Sequence, residues 1–163
     1  MKNILVLLTA ITLFSSCGKD GATGPQGPQG IPGSSNVSSF IYDVSSWVYN
    51  STVPEFNTNL PVPEITSDVI NGGTVQVFEG NASSGSSIWY SMPYSYTGIE
   101  HSYSISLGNV EVEFTRSDGT VPTTPGAYQF KVVVIPPAIV KKHPNTNWNN
   151  YKELMNALGQ ENK

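Results

Sequence analysis

SYSISLGNVEVEFT, residues 102–115, alternates apolar and polar side chains on both sides of Gly108-Asn109. That spacing has the period of two that a half-buried strand requires. Glycine followed by asparagine reads as a two-residue type II′ loop joining two antiparallel strands. Leu107 is then expected opposite Val110, Ile105 opposite Val112 and Tyr103 opposite Phe114. All six apolar residues fall on one face, and Ser102, Ser104, Ser106, Glu111 and Glu113 fall on the other. A slip of one residue would turn the apolar set to solvent, so this register is expected to be well specified.

Working outward toward the C-terminus, Asp118-Gly119 and Thr123-Thr124-Pro125-Gly126 read as turns. They lead into Ala127–Ile135, where Tyr128, Phe130, Val132 and Val134 share one face and Val133 and Ile135 require cover on the other. A strand apolar on both faces belongs in the middle of a covered sheet, and Pro136-Pro137 ends it. Trp148, Tyr151, Leu154, Met155 and Leu158 then recur at helical spacing, with Thr146 or Asn147 as N-cap and Gly159 as stop.

Toward the N-terminus, Phe40, Tyr42 and Val44 alternate as a strand, and Trp47 to Tyr49 extend it or begin another. Thr52 to Pro63 contains Pro54, Pro61 and Pro63 and is read as an irregular connection or an edge. Val69-Ile70, the turn Asn71-Gly72-Gly73 and Thr74 to Glu79 read as a short strand, a turn and a longer strand. Gly80 to Ser87 reads as a loop, and Ile88 to Ser91 as a strand ending at Pro93. The fold class is therefore mainly β: one antiparallel, jelly-roll-like β-sandwich over residues 38–140, followed by a C-terminal segment, residues 141–163, that holds one short helix.

The first 37 residues are not sandwich material. Met1-Lys2-Asn3 precedes an apolar run from Ile4 to Phe14, far short of the roughly 20 residues that span a bilayer but the length of a signal-peptide core. Residues 1–16 are read as a lipoprotein signal, with Ser15 and Ser16 before Cys17 as its cleavage site. Phe14-Ser15-Ser16-Cys17 resembles a lipobox, with Phe14 where leucine is usual. Since Cys17 is the sole cysteine, an internal disulfide is excluded, so lipidation is expected rather than a secretory signal with an incidental cysteine. Three acyl chains, at about 0.8 kcal/mol per buried methylene, would hold the mature chain on a membrane. Gly21, Gly24, Gly27, Gly30 and Gly33 follow at period three, with Pro25, Pro28 and Pro32 between them, the pattern of a collagen-like run. With so few triplets, this reads as a stiff spacer of about 3 Å per residue. It becomes a homotrimeric stalk only if the following domain trimerises as well.

The formal net charge is −4 and no basic cluster extends beyond Lys141-Lys142, which argues against a nucleic-acid partner. Charged residues make up only 12%, a balance suited to an extracytoplasmic β-protein. His101 and His143 are the only histidines, and both are read as solvated, His101 at the start of a strand and His143 in a loop. No Gly-x-Ser-x-Gly elbow and no zinc-ligand spacing is present, so neither a catalytic residue, a metal nor a cofactor is assigned. Glu111 and Glu113 point the same way from one strand and are read as its polar face. Trp89, Tyr90, Tyr94 and Tyr96 form an aromatic group with two readings: filling of the core or a subunit contact, or stacking on sugar rings.

Five segments resemble a group of lipoproteins from Bacteroidetes-type bacteria that carry a collagen-like run behind the lipid cysteine and then a small β-domain. They are SCGKDGATGPQGPQG, ITSDVINGGTVQVFEG, WYSMPYSYTG, YQFKVVVIPP and HPNTNWNNYKELMNALG. The resemblance implies an envelope location, with an outer-membrane lipid anchor, and no particular chemistry. Lys19-Asp20 is similar to the charged signals that send some such lipoproteins to the cell surface. The expectation is a non-enzymatic, membrane-anchored protein with a structural or adhesive role and a glycan or protein as ligand. The alternative is a carbohydrate-binding module, and an enzyme using His101 is the least supported reading.

Overall fold

The computed structural model describes residues 36–81 and 88–159, with Asn81 described by its backbone alone. The signal segment, Cys17, the glycine repeat and most of the 80–87 loop lie outside the described residues. The described chain belongs to one compact unit, Pro32–Lys163, and its strands form two antiparallel sheets packed face to face.

The hairpin that opens the sequence argument is β7 (Ile99–Ser106) and β8 (Asn109–Arg116). Val110, Val112 and Phe114 are buried, as the alternation requires. The pairing differs by two residues from the expected one: Ile105 pairs with Val110, Tyr103 with Val112 and His101 with Phe114. The loop is Leu107-Gly108, and the positive φ of +71° falls on its second residue, which only glycine adopts without strain. A shift of two keeps every side chain on its own face, so the core is unaffected while each partner changes. One result is that Leu107 stands at the loop tip, 67% exposed.

The five-stranded sheet runs β2 (Val48–Asn50), β3 (Glu55–Pro61), β8, β7 and β6 (Tyr94–Tyr96). Here the structure corrects the reading of residues 52–63 as an irregular connection, while the edge reading holds in part: β3 pairs with β8 along its length but with β2 only at Glu55, Phe56 and Asn57. Pro54 precedes β3 and Pro61 is its last residue, so no proline interrupts the ladder, and Phe56 and Leu60 enter the core. The four-stranded sheet runs β1 (Ser38–Val44), β9 (Tyr128–Ile135), β4 (Thr74–Asn81) and β5 (Tyr90–Ser91). As expected, β9 is central. Its Phe130, Val132 and Val134 meet Val75, Val77, Val110, Val112 and Phe114 between the sheets.

On the outer face of the four-stranded sheet, Val133 and Ile135 join Phe78 and Leu154 in a second cluster. The cover comes from α2 (Pro137–Lys142) and α3 (Tyr151–Ala157). Asn150, not Thr146 or Asn147, caps α3: its side chain accepts from the amides of Lys152 and Glu153, while Gly159 at φ +67° lies just past the end. The expected strand at Val69-Ile70 is instead α1 (Ser67–Gly72), whose one buried side chain is Val69. Two adjacent apolar residues carry no period, so the sequence there could not separate helix from strand.

Candidate functional site

Consecutive side chains on a strand point to opposite faces, and β4 uses both. Val75, Val77 and Glu79 face the interior between the sheets, whereas Phe78 and Gly80 face the helices. Across the β4–β5 ladder, Tyr90 pairs with Glu79 and Ser91 with Phe78. Tyr90 therefore shares Glu79's face, and Trp89 takes the opposite one.

The chain crosses from β5 to the other sheet through Met92-Pro93 and forms the β6–β7 hairpin. Thr97 and Gly98, both at positive φ (50° and 77°), make its two-residue loop, the signature of a type I′ turn. Tyr94 then pairs with His101 and Tyr96 with Ile99, all on the inner face. The two sheet edges consequently bracket an open cleft of about 600 Å³, lined by Glu79, Tyr90, Tyr94, Tyr96, His101 and Tyr128 among others.

The floor of this cleft is a polar network. The Tyr94 hydroxyl donates to Glu79 Oε1 at 2.7 Å, and His101 Nδ1 lies 2.8 Å from Glu79 Oε2. Glu79 and His101 are each only 5% exposed, so an unpartnered carboxylate there would carry a large desolvation penalty. The His101 ring stacks on Tyr94, with centroids 4.6 Å apart, and tilts against Phe114 at 4.2 Å. Burial first, then the hydrogen bond to Glu79, pushes the Tyr94 phenol well above the usual tyrosine range. Burial first and then the Glu79 charge also raise Tyr128. Both phenols are therefore neutral hydroxyls at physiological pH.

The rim is different. Tyr90 is 57% exposed and Tyr96 67% exposed, with Tyr90 tilted against Tyr94 at 6.2 Å. Such an arrangement offers flat aromatic faces above fixed hydroxyl, carboxylate and imidazole groups. It can stack on a ring and hydrogen-bond its edge. Among the described residues, the lining includes Thr97 but neither serine nor cysteine.

Of the aromatic group singled out in the sequence, Tyr90, Tyr94 and Tyr96 line this cleft and Trp89 does not. Trp89 packs on the helix side, where a Cβ on Gly80 would lie 2.9 Å from its ring. The Lys131 ammonium sits 4.2 Å from the centre of the Trp89 ring and 5.0 Å from that of Tyr151, and donates to the Tyr151 hydroxyl at 2.8 Å.

His101 is the larger correction. The sequence reading placed it in solvent without a partner, yet it is buried mid-strand against a carboxylate 22 positions away. Its place in the apolar alternation, two before Tyr103, is the one signal that marks it as inward-facing. His143 is half-buried, its ring edge-on to Trp148 at 6.4 Å. Glu111 and Glu113 lie across from Asn59 and Asn57 on the outer face of the five-stranded sheet. Burial first, and then the neighbouring Glu55 and Glu111 charges, raise the Glu113 carboxyl. Among the described residues, no three His, Cys, Asp or Glu side chains converge to hold a metal ion. No protein-family model matches the chain, and neither does any curated protein or solved structure.

Proposed function

We propose that this chain is a non-enzymatic, lipid-anchored envelope protein that binds a glycan in the tyrosine cleft. In this reading Cys17 carries the lipid, the glycine repeat sets the distance from the membrane, and the sandwich presents Tyr90, Tyr94 and Tyr96. The observation that carries it is the exposure of Tyr90 and Tyr96 beside a fixed polar floor. Tyrosines that served only the core would be covered, and a pyranose supplies what this cleft lacks: an apolar C–H face with a hydroxyl rim. Adhesion is the role that follows from such a site on a tethered domain.

A glycan array probed with the full chain tests the reading. Selective retention that is lost in Tyr90→Ala and Tyr96→Ala, with unchanged thermal unfolding, is the expected result. A wild-type chain that retains no glycan contradicts it. Protease shaving of intact cells addresses location separately, since adhesion requires the sandwich to be cleaved from outside.

A further inference from the structure

The two faces of β4 carry the same chemistry in different states of completion. On the helix side, the aromatic rings of Trp89 and Tyr151 hold an ammonium that the chain itself supplies, Lys131. On the cleft side, Tyr90, Tyr94, Tyr96 and Tyr128 surround a carboxylate, Glu79, whose one basic neighbour in the lining is His101 at 2.8 Å; among the described residues the lining contains neither lysine nor arginine. Arg116 is the nearest candidate in the ladder, opposite Ile99, but its guanidinium is held by Asp118 at 3.2 and 3.0 Å. Aromatic faces attract cations through their quadrupoles, most strongly where water is excluded, and a buried carboxylate adds to that field.

From this contrast we infer that the cleft selects glycans carrying a free, protonated amine, that is, de-N-acetylated amino sugars, over neutral and acidic ones. The inference rests on the sugar-binding reading above and adds the charge of the sugar. The ring would stack on Tyr90 or Tyr96, and its ammonium would lie among the tyrosine faces near Glu79. A uronate or sulfate would meet the Glu79 charge, with His101 already held on that carboxylate and no lysine or arginine among the described lining residues to offset it.

The test is titration of the full chain with three oligosaccharides of equal length: glucosamine, N-acetylglucosamine and galacturonate oligomers, at a pH where the amine is charged. The glucosamine oligomer is expected to bind about tenfold tighter than its acetylated counterpart, in line with a cation–π contact strengthened by the Glu79 carboxylate. The galacturonate oligomer should bind weakest. Added salt should narrow the gap between the charged ligands. Glu79→Gln keeps the shape of the side chain, replaces one acceptor oxygen by a donor, removes the charge and leaves the tyrosine rings. It should reduce the tenfold preference to about the two- to fivefold that an exposed cation–π contact supplies. Equal affinity for the first two oligomers, or tighter binding of the galacturonate, would overturn cation selection and leave sugar binding standing. Binding of none of the three by the wild-type chain would overturn both. The comparison among ligands is made on the wild-type protein, so its outcome does not depend on whether the variant folds.

Discussion

The helix side and the cleft side of β4 lie one residue apart in sequence and differ in how far they are closed. Phe78 is fully buried beneath α3, edge-on to Tyr151 at 5.0 Å, and Lys131 completes the polar chemistry there. Glu79 is buried too, but the aromatic side chains around it reach solvent at Tyr90 and Tyr96. The cluster around Phe78 contributes to stability, although a second cleft of about 630 Å³, lined by Lys131, Val133, His143 and Leu154 among others, opens on the same helix-covered face. The open cluster around Glu79 gives up part of its burial energy and keeps faces free for binding. In this sandwich the exposed tyrosines beside a fixed polar floor mark the cleft side as the place for a ligand.

The comparison can be broken most severely at Phe78. Phe78→Ala should cost about 3–5 kcal/mol of unfolding free energy, measured by chemical denaturation, because a fully buried ring leaves a cavity beneath the helix. A loss under about 1 kcal/mol would mean that the helix side is not closed. Next comes the floor of the cleft. His101→Ala leaves Glu79 buried with one partner fewer and should cost about 1–3 kcal/mol. A double-mutant cycle with Glu79→Gln should show non-additivity of about 0.5–3 kcal/mol, and additive losses would deny the pair.

Lys131→Met tests whether the cation matters on the closed side, with an expected loss of about 0.5–2 kcal/mol by thermal unfolding and unchanged ligand affinity. A pH series is the mildest probe. The Tyr94 phenol is raised in the folded state, so folding retains its proton where the unfolded chain releases it. That contribution is complete below the ordinary tyrosine pKa of about 10 and declines as pH rises above it. Unfolding free energy should therefore fall above about pH 10, with a shallower slope in Tyr94→Phe. An identical slope in the variant would remove Tyr94 as the cause.

Much of this architecture was legible because it is local or periodic. The alternation around Gly108-Asn109 correctly assigned the faces of β7 and β8, and the two-sided apolar pattern of Ala127–Ile135 identified the central strand. The spacing of Tyr151, Leu154 and Met155 marked the last helix. What escaped depended on distance or on a parity that was not followed far enough. The alternation of the hairpin also puts His101 inside, and the same period separates Trp89 from Tyr90, which proximity in sequence alone groups together. The Glu79–His101 pair joins opposite sheets, and no local spacing announces a contact of that kind. The prolines around β3 illustrate a third limit, since their effect depends on whether they fall within a strand or at its ends.

The most direct test sets the two faces of β4 against each other. Ligand affinity and thermal unfolding are to be measured side by side in Tyr96→Ala and Trp89→Ala of the full chain. The account predicts that Tyr96→Ala loses glycan binding with stability changed by less than about 0.5 kcal/mol. Trp89→Ala should unfold at a lower temperature and keep its affinity while folded. The opposite pattern, binding lost with Trp89 and retained without Tyr96, would contradict the division between the closed and the open face.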